Sequence, residues 1–163
     1  MTPRLVLNTI GLLISGGLIL AANPAVGAST PFDTLSGTWA GGGNLAYDSG
    51  PPDKLECLGY YKSSGGGNNL SIAIRCNGET KLELRTKLDY QDGKLSGTWE
   101  ERTYNASGNA TGLATEKSLS LQFSGSLSGS MSIAFSPSTQ SISVSISTTE
   151  SGLKGAHVSL SRR

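Results

Sequence analysis

The candidate catalytic residues of this 163-residue chain are few, and their spacing argues against an enzyme. His157 is the only histidine, no cysteine lies near it in the sequence, and no serine stands in a nucleophile motif. Glu100 and Glu101 are adjacent, so in a strand their carboxylates would point to opposite faces and could not act together on one substrate atom. The sequence therefore predicts no catalytic residue and a protein that is not an enzyme.

Sites for metals, cofactors and nucleic acids are not predicted either. Cys57 and Cys76 cannot hold a metal once oxidised, and no run of Asp and Asn resembles a calcium loop. The glycine runs 41–43 and 65–67 are not followed by a helix whose N-terminus could hold a phosphate. The chain has 13 Lys and Arg and 12 Asp and Glu, which argues against the basic face that nucleic-acid binding requires. We expect no cofactor, no metal and no nucleic-acid partner.

The N-terminal segment has the composition of an export signal. Arg4 precedes an apolar run over residues 5–22, and small residues at Val26 and Ala28 mark a cleavage position after Ala28. Polar residues and glycines dilute the run, which favours a cleaved signal peptide over the alternative, a retained membrane anchor. We expect residues 1–28 to be a signal peptide and residues 29–163 to form one domain, periplasmic or secreted, with no membrane span after cleavage.

The two cysteines are expected to form a disulfide, because an exported chain with two thiols ordinarily pairs them. Residues 54–62 and 69–76 are typical of two strands of a hairpin that folds around Gly66 or Gly67, which brings Cys57 opposite Cys76. By alternation, both cysteines fall on the apolar face of their strands. The alternative is a pair of buried free thiols.

Alternation of apolar and polar residues runs through most of the chain and predicts an all-β fold. Leucines alternate with charged residues over 81–89, and large apolar residues alternate with polar ones, chiefly serine, over 119–123 and 131–135. Residues 105–112 look like a loose connection, residues 158–160 like a short last strand, and no window shows a convincing helical period. Strands with one apolar face must close on themselves or form two layers. We predict a single up-and-down antiparallel barrel of about eight to ten strands, with a β-sandwich as the alternative.

The pentapeptide Leu-Ser-Gly-Thr-Trp occurs twice, at residues 35–39 and 95–99. Each copy is expected to open a strand, with glycine at a tight entry and a large aromatic residue two positions later. The cysteines have no counterparts at the shifted positions, which favours two similar strand openings in one barrel over an internal duplication.

Gly37-Thr38-Trp39 resembles the start of the first strand in the calycin superfamily, which comprises lipocalins and fatty-acid-binding proteins. In that family the Trp closes one end of the barrel and a basic residue late in the chain packs across it, so the resemblance points to Arg162 or Lys154. The chain departs from the family in lacking a recognisable C-terminal helix. It is also similar to small exported bacterial barrels with a Gly-x-Trp start and an early disulfide, among them inhibitors of secreted metalloproteases.

The calycin resemblance implies a cavity for a small apolar molecule, and a barrel that binds such a ligand inside is the leading hypothesis for function. The alternative is an interaction module, such as a secreted-protease inhibitor or an envelope structural protein, with a solidly packed interior and a protruding segment at 30–35 or a protruding loop. The candidate partners are therefore a small apolar ligand or an envelope protein. The residues expected to line the cavity are Trp39, Leu82, Leu84, Trp99, Ile133, Phe135 and Val144.

Overall fold

The computed structural model describes residues 30–147 and 152–163. The predicted signal peptide, residues 1–28, lies outside the described residues. No helix in the described ranges is long and apolar enough to cross a membrane. The elements in chain order are α1 (Pro31–Leu35), β1 (Gly37–Tyr47), β2 (Asp53–Ser64), a 3-10 turn (Gly65–Gly67), β3 (Asn69–Asn77), β4 (Leu82–Gln91), β5 (Lys94–Glu101), β6 (Ala106–Ala114), β7 (Ser118–Gly125), β8 (Gly129–Phe135), β9 (Thr139–Ile146) and β10 (Leu153–Arg162).

The strands form one closed antiparallel barrel in which each strand pairs with its neighbours in sequence. The first and last strands close the sheet, with Trp39 opposite Arg162 at one end of the pairing and Tyr47 opposite Leu153 at the other. The predicted all-β up-and-down barrel is confirmed. The sandwich alternative is wrong, because the ladder of backbone hydrogen bonds is continuous around the sheet and does not divide into two layers.

The short helix α1 is a feature that the alternation pattern does not predict. Proline occupies its first turn, where the missing backbone N–H has no helical partner to lose, and Asp33 places a negative charge near the helix N-terminus. Phe32 and Leu35 are three residues apart and both are fully buried. The apolar spacing therefore follows a single helical turn, which is too short to give a recognisable period.

The strand β6 corrects the expectation of a loose connection at 105–112. Ala106–Ala114 pairs with β5 on one side and β7 on the other. Its inward positions carry only alanine and glycine, and a Cβ atom at Gly108 would lie 1.7 Å from the carbonyl oxygen of Ser124 on β7. Glycine is required at this close approach, and the inward glycines and alanines together remove the apolar alternation that identifies the other strands.

The last strand is also longer than the sequence pattern indicates. It spans Leu153–Arg162 instead of only the region around 158–160. Its register with β1 is unbroken opposite the glycines at 41–43, and the irregularity lies between Ala46 and Tyr47. The three consecutive glycines therefore pair with β10 as regular strand residues.

One end of the barrel is closed by α1 and by the side chains beneath it. The ring of Phe32 contacts that of Tyr90 edge to face, with centroids 5.7 Å apart. Removing each large apolar side chain from water contributes about 1.5–3 kcal/mol to stability. The largest fully buried side chains all lie in this half of the barrel: Trp39, Phe32, Leu35, Leu70, Leu88, Leu119, Ile133 and Leu160.

A buried polar pair joins two walls of this closed half. The Tyr61 hydroxyl on β2 donates a hydrogen bond of 2.8 Å to Oε1 of Gln140 on β9. Burial raises the pKa of Tyr61 far above its ordinary value, so the phenol stays neutral and continues to donate. The pair thus fixes the spacing between strands that are not neighbours in the sheet.

Arg162 packs across Trp39 and ties α1 to the barrel. Its guanidinium carbon lies 4.2 Å from the centroid of the Trp39 ring. Its terminal nitrogens donate to the carbonyl oxygens of Thr34 and of Ser36, the latter at 2.7 Å. Its Nε donates to the carbonyl oxygen of Pro137 at 2.6 Å. Three carbonyls from two chain segments are therefore held by one side chain.

The expectation of a late basic residue packed across the tryptophan is confirmed for Arg162. Trp39 itself is fixed by a hydrogen bond of 2.8 Å from its Nε1 to the carbonyl oxygen of Leu35. Lys154, the other candidate, lies at the far end of β10, where its Nζ is 2.7 Å from Oδ1 of Asp48. The basic residue packed on Trp39 thus comes from the C-terminal end of the last strand.

The predicted disulfide between Cys57 and Cys76 is confirmed. The two residues are direct cross-strand partners in the β2–β3 pairing, and both side chains face the interior. The folded chain therefore places the two sulfurs together, and the free-thiol alternative is wrong.

Removing the disulfide is expected to destabilise the barrel. The double substitution Cys57→Ser with Cys76→Ser should lower the free energy of unfolding by about 3 kcal/mol, because the bridge spans 19 positions of the chain and restricts the unfolded state. Urea denaturation of the oxidised protein and the variant measures the difference. Wild type treated with dithiothreitol should match the variant, and an unchanged midpoint would contradict the assigned role.

Arg162→Lys is expected to lower the free energy of unfolding by about 2 kcal/mol, because an ammonium group keeps the charge but cannot reach the three carbonyls in the geometry of a guanidinium. The neighbouring substitution Arg163→Lys is the matched control, since the Arg163 side chain is exposed and only its backbone N–H bonds to the barrel. Denaturant midpoints of the two variants should differ clearly. Equal midpoints for the two variants would contradict the proposal that the Arg162 side chain holds α1 against the barrel.

Candidate ligand-binding cavity

The half of the barrel farthest from α1 is hollow and contains a cavity of about 570 Å³. It lies where β1, β3, β5, β7 and β9 end, and its lining includes residues of the connections that follow β3, β5 and β7. Every strand of the barrel contributes at least one residue to the lining. Because side chains alternate between the two faces of a strand, these are the inward-facing residues nearest the open end.

Four of the seven residues predicted to line a cavity do so, namely Leu82, Leu84, Trp99 and Val144. Whether these four contact a ligand stays a prediction.

The other three predicted residues point inward but lie outside the cavity. Trp39 is fully buried below α1, and Ile133 and Phe135 lie on the part of β8 that runs into the closed half. Alternation gives the face of a strand but not the depth of a residue along the barrel axis, and whether these three residues contact a ligand also stays a prediction.

Much of the lining was not predicted as such from the sequence. Leu121 and Phe123 on β7 belong to alternating sets that the sequence shows, but their depth was not predictable. Ala110 and Ala156 line the cavity with small side chains, for which no sequence signal stands out. Tyr104 at the entrance is 64% exposed and belongs to a loop. The small residues matter because they leave the space unfilled.

Aromatic rings form one wall of the cavity. Trp99 and Phe123 pack edge to face with ring centroids 5.7 Å apart. The Trp99 indole Nε1 donates to the carbonyl oxygen of Ser124 at 3.2 Å, so its polar atom is already used within the barrel wall. What the pair presents to the cavity is therefore an apolar aromatic surface.

The lining is almost free of charge. Glu101 is its one charged member among the described residues. Its carboxylate accepts backbone hydrogen bonds from Glu83 at 2.7 Å, from Thr103 at 3.2 Å and from Tyr104 at 2.7 Å. These bonds fix the β5–β6 turn and occupy the carboxylate. The cavity therefore suits an uncharged molecule better than an ion.

A cluster of opposite charges lies on the outer face of the same strands. Oε1 of Glu83 is 2.7 Å from Arg85, 3.4 Å from Arg102 and 3.6 Å from Arg75. The hydrogen bond from Arg85 and the charges of the three arginines hold the pKa of Glu83 below its ordinary value. The alternation of β4 thus separates a charged outside from an apolar inside.

Asp53 fixes the turn between β3 and β4 at the entrance. Its carboxylate accepts backbone hydrogen bonds from Glu79 at 3.2 Å and from Thr80 at 2.9 Å. Burial raises the pKa of Asp53, but the hydrogen bonds from Thr80 and Glu79 outweigh it and the pKa is lowered overall. This turn leads into Leu82, so the carboxylate positions part of the cavity wall.

The residues first considered for catalysis do not come together. His157 lies on the outer face of β10, where its Nδ1 is 3.1 Å from the Ser143 hydroxyl. Glu100 is exposed on the outside of β5, whereas Glu101 faces the cavity, as the alternation predicts. No group of three or more His, Cys, Asp or Glu residues that could hold a metal ion occurs in the described part of the chain.

Comparison with known proteins shows the fold. No protein-family model matches the chain, and no curated protein matches its sequence. The crystal structure of Rv2717c from M. tuberculosis matches with a TM-score of 0.65 at 14% identity, over 80% of this chain and 93% of that one. The S-type phycobiliprotein lyase CpeS from Guillardia theta matches with a TM-score of 0.57 at 13% identity, over 81% and 89%. These similarities show the fold alone, a small closed β-barrel.

The prediction that the chain is not an enzyme is corrected by this comparison. One protein with the same fold is a phycobiliprotein lyase, so a barrel of this kind can serve an enzyme. The prediction was based on the absence of catalytic motifs. In a barrel, groups from several strands can meet at one interior site without forming any motif in the sequence.

Asp53→Asn is expected to reduce the acid sensitivity of the fold. Because the folded-state pKa of Asp53 is below its ordinary 3.8, its carboxylate stabilises the protein above that pH, and this stability is lost as the pH falls through the folded value. Urea midpoints measured from neutral to acidic pH should therefore fall less for Asp53→Asn than for wild type. Glu56→Gln, at an exposed position of β2, should retain the wild-type acid dependence.

Proposed function

We propose that the protein is exported and binds a small, uncharged, largely apolar ligand in the open half of its barrel. The observation that carries this proposal is the cavity of about 570 Å³ with a predominantly apolar lining. Ligand pockets in proteins range over about 300–1,000 Å³ and combine apolar walls with a few polar groups. A space of this size suits a compact organic molecule that is buried over most of its surface.

The construction of the barrel supports the same proposal. Ten strands enclose a wider interior than eight, and the inward residues near the open end include alanines where larger side chains would fill the space. The closed half, in contrast, is packed with large side chains, so the hollow is confined to one end. A ligand entering between the loops would therefore meet a floor of fixed side chains.

Export is supported by the disulfide. Structural disulfides persist in oxidising compartments and are rare in reducing ones, and Cys57 and Cys76 are paired in the fold. The signal-peptide prediction for residues 1–28 points to the same compartment.

The alternative hypothesis, an interaction module, receives no comparable support. It expects a solidly packed interior and a protruding segment at 30–35 or a protruding loop. Instead, the open half of the barrel is hollow, and Phe32 and Leu35 of that segment are fully buried. The two large apolar residues of that segment are therefore part of the core and are not available to a partner protein.

Filling the cavity is the direct test of the proposed function. Ala156→Phe places a ring inside the cavity, because Ala156 lines it and is only half-buried. Titration with the fluorescent apolar probe N-phenyl-1-naphthylamine should show saturable binding to wild type and at least a tenfold loss of affinity in this variant, since steric exclusion removes the contacts with the walls.

The matched control is Ala134→Phe, which adds the same ring at an exposed, outward-facing position of β8. It should bind the probe as wild type does. Circular dichroism and urea midpoints establish that both variants are folded. An absence of saturable binding by wild type, or equal binding by the two folded variants, would contradict a binding site inside the barrel.

A further inference from the structure

One polar side chain stands at the floor of the cavity. Thr86 lies on β4, where the inward positions run from Leu82 at the entrance through Leu84 and Thr86 to Leu88. The first three line the cavity, whereas Leu88 is 1% exposed and belongs to the packed half. Thr86 is therefore the deepest lining residue of its strand, roughly 13 Å along β4 from Leu82.

The Thr86 hydroxyl has no hydrogen-bond partner within residues 30–147 and 152–163. The residue is 6% exposed and is flanked across the strands by Ile72 and Trp99, neither of which offers it a polar atom. Among the described residues, the fully buried side-chain polar atoms without a partner are Thr30 Oγ1 and Gln140 Nε2, so the Thr86 hydroxyl is open to the cavity that Thr86 lines. Valine has nearly the same shape and would present only methyl groups there, so packing alone does not account for a threonine.

The other polar groups of the lining differ from Thr86 in position or in bonding. Ser126 accepts a hydrogen bond of 3.1 Å from the backbone of Ser107. Thr80 lies at the entrance, before the start of β4, and its backbone N–H donates to Oδ2 of Asp53 at 2.9 Å. Tyr47 and Asn105 lie at or next to the ends of strands at the entrance, where water reaches them. Thr86 alone combines depth with an unused hydroxyl among the described lining residues.

We propose that the ligand carries one uncharged hydrogen-bonding group, a hydroxyl or a carbonyl, and that this group enters first and bonds to Thr86. This inference rests on the proposed function of the same cavity. The rest of the molecule is apolar and packs on Trp99, Phe123 and the aliphatic walls. A carboxylate or an ammonium is disfavoured at this depth, because no opposite charge lies beside the threonine to offset its loss of water.

A double-mutant cycle between protein and ligand tests the contact. The ligands are 2-naphthol and 2-methylnaphthalene, which exchange a hydroxyl for a methyl group, and the protein change Thr86→Val is the same exchange. Affinities are measured by displacement of N-phenyl-1-naphthylamine from the full mature chain. Thr86→Val should weaken 2-naphthol binding about tenfold and leave 2-methylnaphthalene binding equal or tighter.

Three further variants test whether the effect depends on the hydroxyl group of Thr86 and on its position in the cavity. Thr86→Ser keeps the hydroxyl and should retain most of the 2-naphthol affinity. Thr98→Val makes the same exchange at an exposed, outward-facing position of β5 and should change neither affinity. Tyr47→Phe removes a hydroxyl at the entrance and should not alter the ratio of the two affinities. Urea midpoints verify that each variant is folded.

The outcomes separate this inference from the proposed function. If wild type binds the probe and both naphthalenes but Thr86→Val leaves the affinity ratio unchanged, the ligand-binding cavity stands and the role of Thr86 is refuted. If Tyr47→Phe changes the ratio instead, the polar group lies at the entrance and the proposed orientation is wrong. If wild type binds none of the three molecules, both proposals fail.

Discussion

The backbone pairing of β1 with β10 is the constraint on which the rest of the structure depends. It joins the first strand of the chain to the last, so the sheet has no free edge and its inward faces surround a single interior. An open sheet would expose an apolar face and an unpaired edge, which is a liability in a chain whose later strands carry few charges. Closure joins the ten strands, each with one apolar face, into a continuous wall around a single interior.

Closure alone does not decide how the inside is filled. In one half, α1 inserts Phe32 and Leu35 from beyond the wall, Trp39 lies beneath them, and Arg162 holds the helix in place. In the described residues of the other half, no segment folds back in this way, and the inward residues alone are too small to meet at the centre. The packed end thus provides most of the apolar core, while the hollow end keeps its shape from the ladder of backbone hydrogen bonds.

From the sequence, the strands of the barrel could be predicted better than the packing of its interior. Alternation with a period of two identifies which face of a strand is apolar, and it correctly placed Leu82, Leu84 and Val144 on the inside. It could not give the depth of a residue along the axis, because depth depends on strand tilt and register around the whole barrel. Ile133 and Phe135 have the same alternation and lie in the packed half.

The repeated pentapeptide illustrates the same limit. In the first copy Leu35 ends a helix and Trp39 is buried under an arginine, whereas in the second Leu95 lies within a strand and Trp99 lines the cavity. The two identical pentapeptides therefore have different structural roles because they occupy different positions in the closed sheet. The strand β6 was missed for a related reason, because its inward glycines and alanines give no apolar alternation, and glycine at position 108 is required by the close approach of β7.

The disulfide is more than a brace for one hairpin, because Cys76 belongs to the cavity lining. Its sulfur is part of the surface that a guest molecule would touch, so the oxidation state of the compartment and the shape of the interior are chemically linked. Under reducing conditions that surface would carry a polarisable thiol in place of the bridge, and the two strands would be free to separate locally. The barrel would therefore acquire its final internal form only once the disulfide has formed.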